Sequence, residues 1–253
     1  MTEPYESSQR VVEANGLQFH YALDGDPARP TLALINMASH NLTCWEPVLE
    51  PLLQHFHVLR FDIRGTGKSA WGEPDGFTFS QYAHDLAAIM DALDIDKAFV
   101  VGVAYGARTA ARFALEHSKR LTALGLFDVA LTPPVEQSGQ RALAEEARAL
   151  LTANGTPAPA VRKSWRFYED RNAALQAHTA HQHEPDITTR LGSLTMPVLV
   201  ACGRQDMNLA EAQRIAQQIP AAQLEIMEMT GHASPFFRPD LFANLLIRFC
   251  AGL

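Results

Sequence analysis

Apolar positions along this chain follow two rhythms, and the change from one to the other marks out its elements. Short, mostly apolar runs stand at Thr31–Asn36, His57–Asp62, Ala98–Val103, Leu121–Asp128, Val198–Cys202 and Gln223–Met227. Such runs read as strands of a sheet covered on both faces. Elsewhere apolar residues recur every three or four positions: Tyr82, Leu86, Ile89, Met90 and Leu93 after Ser80, then Ala107 to Leu115, Leu209–Gln217 and Leu241–Cys250. That spacing predicts amphipathic helices. The chain opens on a hairpin, Arg10–Ala14 and Leu17–Leu23, joined by Asn15-Gly16, a pair that accepts the positive φ angles of a tight turn.

Strands and helices alternate from Arg10 to Asp128 and again from Pro197 onward, which predicts an α/β fold. The expected architecture is one mostly parallel, eight-stranded sheet with helices on both faces. From about Leu131 to Arg190 the alternation stops. An Ala/Glu/Arg-rich helix near Gln140–Thr152 and another around Ser164–Leu175 predict a small helical cap, inserted at about 131–190 into a single domain spanning 1–253. In open sheets of this kind ligand sites gather at the carboxyl ends of the strands, so the chemistry is sought in the residues that follow each apolar run.

Composition narrows the function classes. With 47% hydrophobic and 19% charged residues the chain is ordinary for a globular protein in water, and it holds no apolar stretch long enough to span a bilayer. Its formal net charge of −7 is spread among interspersed signs, so no positive stripe is offered to a nucleic acid. The N-terminal MTEPYESSQR lacks the basic-then-apolar order of a secretory signal, and a cytoplasmic protein is expected. Cys44, Cys202 and Cys250 leave one thiol unpaired in any disulfide scheme and show no metal-ligand spacing, which fits a reducing compartment. His178, His181 and His183 look like a metal cluster, yet no acid or cysteine at helical spacing completes it, and no metal is predicted. Gly102-x-x-x-Gly106 lacks the spacing of a dinucleotide loop, so no cofactor is implied.

Three places carry the candidate chemistry. Phe99 to Val103 runs straight into a helix through Gly102-Val103-Ala104-Tyr105-Gly106. Asp206 follows one later strand, and Thr230-Gly231-His232 places an imidazole after the next. The chain order is turn, acid, histidine.

The pattern resembles the α/β-hydrolase superfamily over nearly the whole chain. That family's Gly-x-Ser-x-Gly elbow holds a nucleophile in a strained, exposed turn, and everything except its hydroxyl is present around Ala104. Asp62-Ile63-Arg64-Gly65-Thr66-Gly67-Lys68-Ser69 matches a structural loop common in the family. The resemblance implies that Asp206 orients and charge-stabilises His232, which acts as general base toward position 104 and then as acid toward the leaving group. It also implies an oxyanion hole from the backbone N–H groups of Tyr105 and Ala38. Asn36-Met37-Ala38-Ser39-His40-Asn41, followed by Trp45, is most similar to the corresponding loop of 3-oxoadipate enol-lactonases. The expected activity is therefore hydrolysis of a small carboxylic ester or lactone. Ser39, His40 and Trp165 are expected to contact the substrate, with Arg162, Lys163 and Arg166 nearby to meet a carboxylate on it.

Ser39-His40-Asn41 together with Asp128 also resembles the cofactor-independent dioxygenases of this fold. Those lack an acid at the position of Asp206, and its presence here favours the hydrolase. Ala104 leaves three readings: an inactivated serine enzyme, an enzyme whose His232 acts directly on a proton or a water (a lyase or dioxygenase among them), or a catalytically dead binding protein. The glycines and the strained turn destabilise the chain locally, which favours the first.

Overall fold

The structure is a computed structural model and describes residues 8–132, 139–166, 171–177, 179–180, 184–220 and 222–253. Its strands are β1 (Gln9–Ala14), β2 (Leu17–Asp24), β3 (Thr31–Ile35), β4 (His57–Phe61), β5 (Ala98–Val103), β6 (Leu121–Phe127), β7 (Val198–Gln205) and β8 (Ala222–Gly231). They form one eight-stranded sheet in the order β1-β2-β4-β3-β5-β6-β7-β8. The β1–β2 and β2–β4 pairs are antiparallel and the others parallel. The opening turn is as the sequence reads, with Asn15 and Gly16 at φ 48° and 73°.

The helices are α1 (Glu46–Leu53), α2 (Phe79–Ala92), α3 (Tyr105–Glu116), α4 (Gln140–Ala153), α5 (Arg171–Ala177), α6 (Leu209–Gln218) and α7 (Pro239–Ala251). They cover both sheet faces and divide the core in two, one part around Leu86, Phe113 and Val200, the other around Trp45, Phe127 and Phe242. Apolar periodicity does not show α1, because Pro47 stands at its start and Pro51 inside it. Between β6 and β7, where a helix is expected around Ser164–Leu175, the described residues hold a short 3-10 turn, Lys163–Arg166, and helix α5 from Arg171. His178, His181 and His183 lie outside the described residues. Among the described residues no helix is long and apolar enough to cross a membrane.

All six parallel strands point the same way, and each is followed at once by a polar or special residue. These are Asn36, Asp62, Ala104, Asp128, Asp206 and His232. Backbone strain gathers at the same edge: Ser39, Ala104, Asp128 and Ala233 all have φ between 51° and 67° without being glycine. A bulge between Gly203 and Gln205 of β7 precedes Asp206, the kind of irregularity that re-aims the next side chain.

Two packing contacts fix this edge. Gly106 lies so close under β3 that a Cβ there would drive into the carbonyl oxygens of Ile35 and Asn36. The turn Lys163–Arg166 is tied to the loop after β3, with the Asn41 N–H donating to the Trp165 carbonyl and the Asn41 side-chain amide to the Ser164 carbonyl, both at 2.8 Å. Trp165 is only 3% exposed and stacks on Phe236 at 5.0 Å between ring centres. It belongs to the core and is not among the residues that line the cavity described below, where the sequence reading expected it.

Two stability predictions follow from these contacts. Glycine to alanine inside a helix normally stabilises by about 1 kcal/mol. Gly106→Ala should instead destabilise by about 3 kcal/mol in denaturant unfolding, because backbone must move. Trp165→Ala should lower stability by about 3–5 kcal/mol, as deletion of a buried indole does.

Candidate active site

The site is assembled on the turn from β5 into α3. Ala104 sits at φ 53° and ψ −108°, a conformation that L-residues adopt only under constraint. The glycines on either side allow it: at Gly102 a Cβ would collide with the Gly106 backbone, and at Gly106 with the end of β3. The turn is held by the Ala104 N–H, which donates to the Phe127 carbonyl at 2.8 Å. Ala104 therefore presents its methyl group at the head of α3, where the Tyr105 N–H has no intrahelical acceptor.

Behind the elbow, the bulged end of β7 brings Asp206 to His232. Nδ1 of His232 lies 3.0 and 3.2 Å from the two carboxylate oxygens of Asp206. The Asp206 side chain is fully buried while that of His232 is 26% exposed. Burial works against the imidazolium, but the hydrogen bond to Asp206 and the charges of Asp206 and Asp128 outweigh it, so the His232 pKa lies above its ordinary value. With Nδ1 turned to Asp206, Nε2 is left for the cavity.

Asp128, the other candidate acid, is engaged elsewhere. It accepts the Ser234 N–H at 2.6 Å and the Gly203 N–H at 3.3 Å, tying the ends of β6, β7 and β8 together. Burial, and next the charge of Asp206, push its carboxyl up to about 7. Asp128, Cys202 and Asp206 cluster with their ligand-type atoms within 4.8 Å of one another. Burial and the two carboxylates push the Cys202 thiol far up, so it stays protonated.

In front of the elbow is a cavity of about 370 Å³ whose wall includes Ala104, Tyr105, Ala38, His40 and His232. Of the predicted residues, Asp206 stands behind His232, and Ser39 and Trp165 are not on the wall. At Ser39 the backbone turns left-handed (φ 64°), which leaves the neighbouring Ala38 and His40 facing the cavity. The loop that carries them is well anchored. Asn36 donates to the Phe61 carbonyl at 2.8 Å and accepts the Trp45 indole N–H at 2.6 Å, while Asp62 accepts the Leu42 N–H at 2.6 Å.

His40 is locked in a neutral form. Burial holds its pKa down to about 4, its Nδ1 is 2.7 Å from the Ala38 carbonyl, and Arg166 Nε stands 3.4 Å from its Nε2. It is a wall residue with both ring nitrogens occupied. Sequence reading missed Phe236, Phe237 and Arg148, which also line the cavity. The phenylalanines carry no motif.

The profile of the alpha/beta hydrolase family matches residues 38–245. The curated protein named carbamate hydrolase RutD from Caulobacter sp. (strain K31) is 28% identical, the alignment covering 92% of this chain and 96% of that protein. Among solved structures, the enol-lactonase from Burkholderia xenovorans LB400 superposes with a TM-score of 0.79 at 25% identity, over 96% of this chain and all of its own. Est816, described as an N-acyl homoserine lactone degrading enzyme, gives a TM-score of 0.75 at 26% identity, over 95% of this chain and 100% of its own. With the eight-stranded sheet, the elbow and the acid–histidine pair on the page, these matches carry one conclusion: the chain belongs to the alpha/beta hydrolase family.

Proposed function

We propose that this protein hydrolyses a small carboxylic ester or lactone, with His232 as general base and a water in the place where a serine hydroxyl would stand. The observation that carries this reading is that an imidazole backed by a buried carboxylate and a methyl group at a strained elbow share one cavity wall. A methyl group forms no acyl-enzyme, so the nucleophile has to be brought in.

The chemistry balances with water alone. His232 Nε2 takes a proton from water as its oxygen bonds to the carbonyl carbon, and the resulting oxyanion is met by the Ala38 and Tyr105 N–H groups. The imidazolium, stabilised by Asp206, then returns that proton to the leaving oxygen as the bond to carbon breaks. The relatives' names support the class: enol-lactonase and lactone-degrading enzyme among the structures, carbamate hydrolase among the sequences. Carbamates therefore join esters and lactones as test substrates.

In a panel of activated esters, lactones and carbamates, His232→Ala should lower kcat/KM by about 10²-fold or more, the usual share of a general base. Ala104→Ser should add a covalent route, seen as a burst and as a mass increment on the peptide bearing residue 104. Turnover indifferent to His232→Ala would show that the imidazole is not the base.

The pH profile tests the same pair. The base must be neutral, and its pKa is raised above the ordinary 6.5, so activity is full above that raised value and falls as pH drops through it. Asp206→Asn removes the carboxylate charge and weakens the hydrogen bond that raise it, leaving burial opposed by Asp128 alone, so the acidic limb of kcat/KM should move to lower pH as the rate falls.

A further inference from the structure

Away from the cavity, two imidazoles and a carboxylate meet between α2 and the end of α3. His84 of α2 faces His117, the residue that caps α3, with Nδ1 of the first and Nε2 of the second 2.9 Å apart. Glu116 brings Oε2 to 3.8 Å from the same Nδ1. The two nitrogens and the carboxylate oxygen that these residues offer all lie within 4.8 Å of one another. None of the three residues lines the cavity that holds His232.

Two ring nitrogens bound to one zinc ion at about 2.0–2.1 Å stand about 2.9 Å apart at a right angle and about 3.3 Å apart at the tetrahedral angle. The separation of His84 and His117, 2.9 Å, falls at the first of these. A hydrogen bond from one neutral ring to the other also accounts for it, but gives the carboxylate no part. Glu116 Oε2 at 3.8 Å is too far from Nδ1 for a hydrogen bond. It is within the span of about 4.1 Å that two bonds to one ion can reach. The ligands are also held from behind, as metal ligands are. Both Glu116 oxygens accept the Ser80 hydroxyl, at 3.1 and 2.9 Å, and the His117 ring packs on Phe113 at 5.1 Å between centres. Neighbouring cations are paired with carboxylates: Arg112 contacts Glu184 as well as Glu116, and Arg120 reaches Asp91 at 2.6 Å. A set of two imidazoles and one carboxylate suits zinc, nickel or copper, whereas magnesium and calcium take oxygen ligands.

We propose that His84, Glu116 and His117 bind a divalent transition metal ion, zinc or nickel by their ligand chemistry, and that the ion clasps α2 to the end of α3. The His84 side chain is 52% exposed, so the ion enters from solvent and keeps water as its remaining ligand. The elbow stands at the other end of α3, so the clasp steadies that helix without touching the reacting groups. This site is independent of the hydrolase reading. Its ligands show no spacing in the chain, since 33 positions separate His84 from His117. The cluster that the sequence suggests is a different one, His178, His181 and His183, and it provides a control.

Zinc chloride or nickel chloride titrated calorimetrically into the untagged full-length protein, stripped beforehand with EDTA, should reveal one tight site. His84→Gln and His117→Gln should each weaken it by at least about a hundredfold, since removing even an outer partner of a metal ligand costs about 10–100-fold. His178→Gln/His181→Gln/His183→Gln and His232→Ala should leave its affinity unchanged. Zinc should raise the melting temperature of the unmodified protein and not that of His84→Gln, because an ion bound only by the folded chain stabilises it. The melting temperature without zinc establishes that each variant is folded. Long-range proton–nitrogen spectra give a readout apart from affinity: zinc should move the ring signals of two histidines, the ones missing from His84→Gln and His117→Gln. Absence of any zinc or nickel site overturns the proposal. So does an affinity unmoved in folded His84→Gln or His117→Gln, or a site lost with His232 or with the three histidines of the control.

Discussion

The close approach of α3 to the end of β3 is the contact on which the site depends. Gly106 lies against the carbonyl oxygens of Ile35 and Asn36, and Gly102 lies against Gly106, so neither position has room for a Cβ. This contact forces the chain to leave β5 and enter α3 within one residue. Ala104 absorbs the turn at φ 53°. Strain of about 1–3 kcal/mol at such a residue persists only where its surroundings over-determine it, and here the sheet on one side and the helix on the other do so. The same contact sets the loop after β3 beside the head of α3, which is how Ala38 and Tyr105 come to one wall.

Around that turn the charges are layered. Two buried carboxylates, Asp128 and Asp206, stand on the sheet side of His232, and two arginines stand on the side of the segment between β6 and β7. The carboxylates divide the work: Asp206 faces the imidazole, while Asp128 is consumed by backbone N–H groups that join three strand ends. Negative charge behind the imidazole favours its protonated form, the state a general base must pass through. Neither layer needs position 104 to be ionisable.

Core and site share residues more than a list of motifs suggests. Trp165 packs on Phe236, Phe236 lines the cavity, and the backbone of the Trp165 turn is pinned to Asn41 in the loop that carries His40. Asn36 and Asp62 hold the other end of that loop through buried hydrogen bonds. A change in any of these would act on the wall through its supports, in stability first and geometry afterwards.

The sequence by itself determined the strand–helix alternation, the elbow and the order of acid and histidine, because each is written in local terms. A strand buried on both faces needs an apolar run, a tight strand-to-helix turn needs small residues at fixed spacing, and the residue after a strand marks its end. Local terms also hid some features. Prolines in α1 broke its periodicity, and exposed charges on α4 looked the same whether they faced water or a cavity. The choice of Asp206 over Asp128 as the partner of His232 was already implied by the family resemblance; the tertiary structure supplies its physical reason, a bulge in β7 and the backbone amides that hold Asp128. Tertiary structure alone placed Trp165 in the core and Arg148 on the wall. Those assignments depend on how the segment between β6 and β7 folds back over the sheet edge, and contacts between residues more than a hundred positions apart, such as Asn41 with Ser164 at 2.8 Å, leave no periodic trace in the chain.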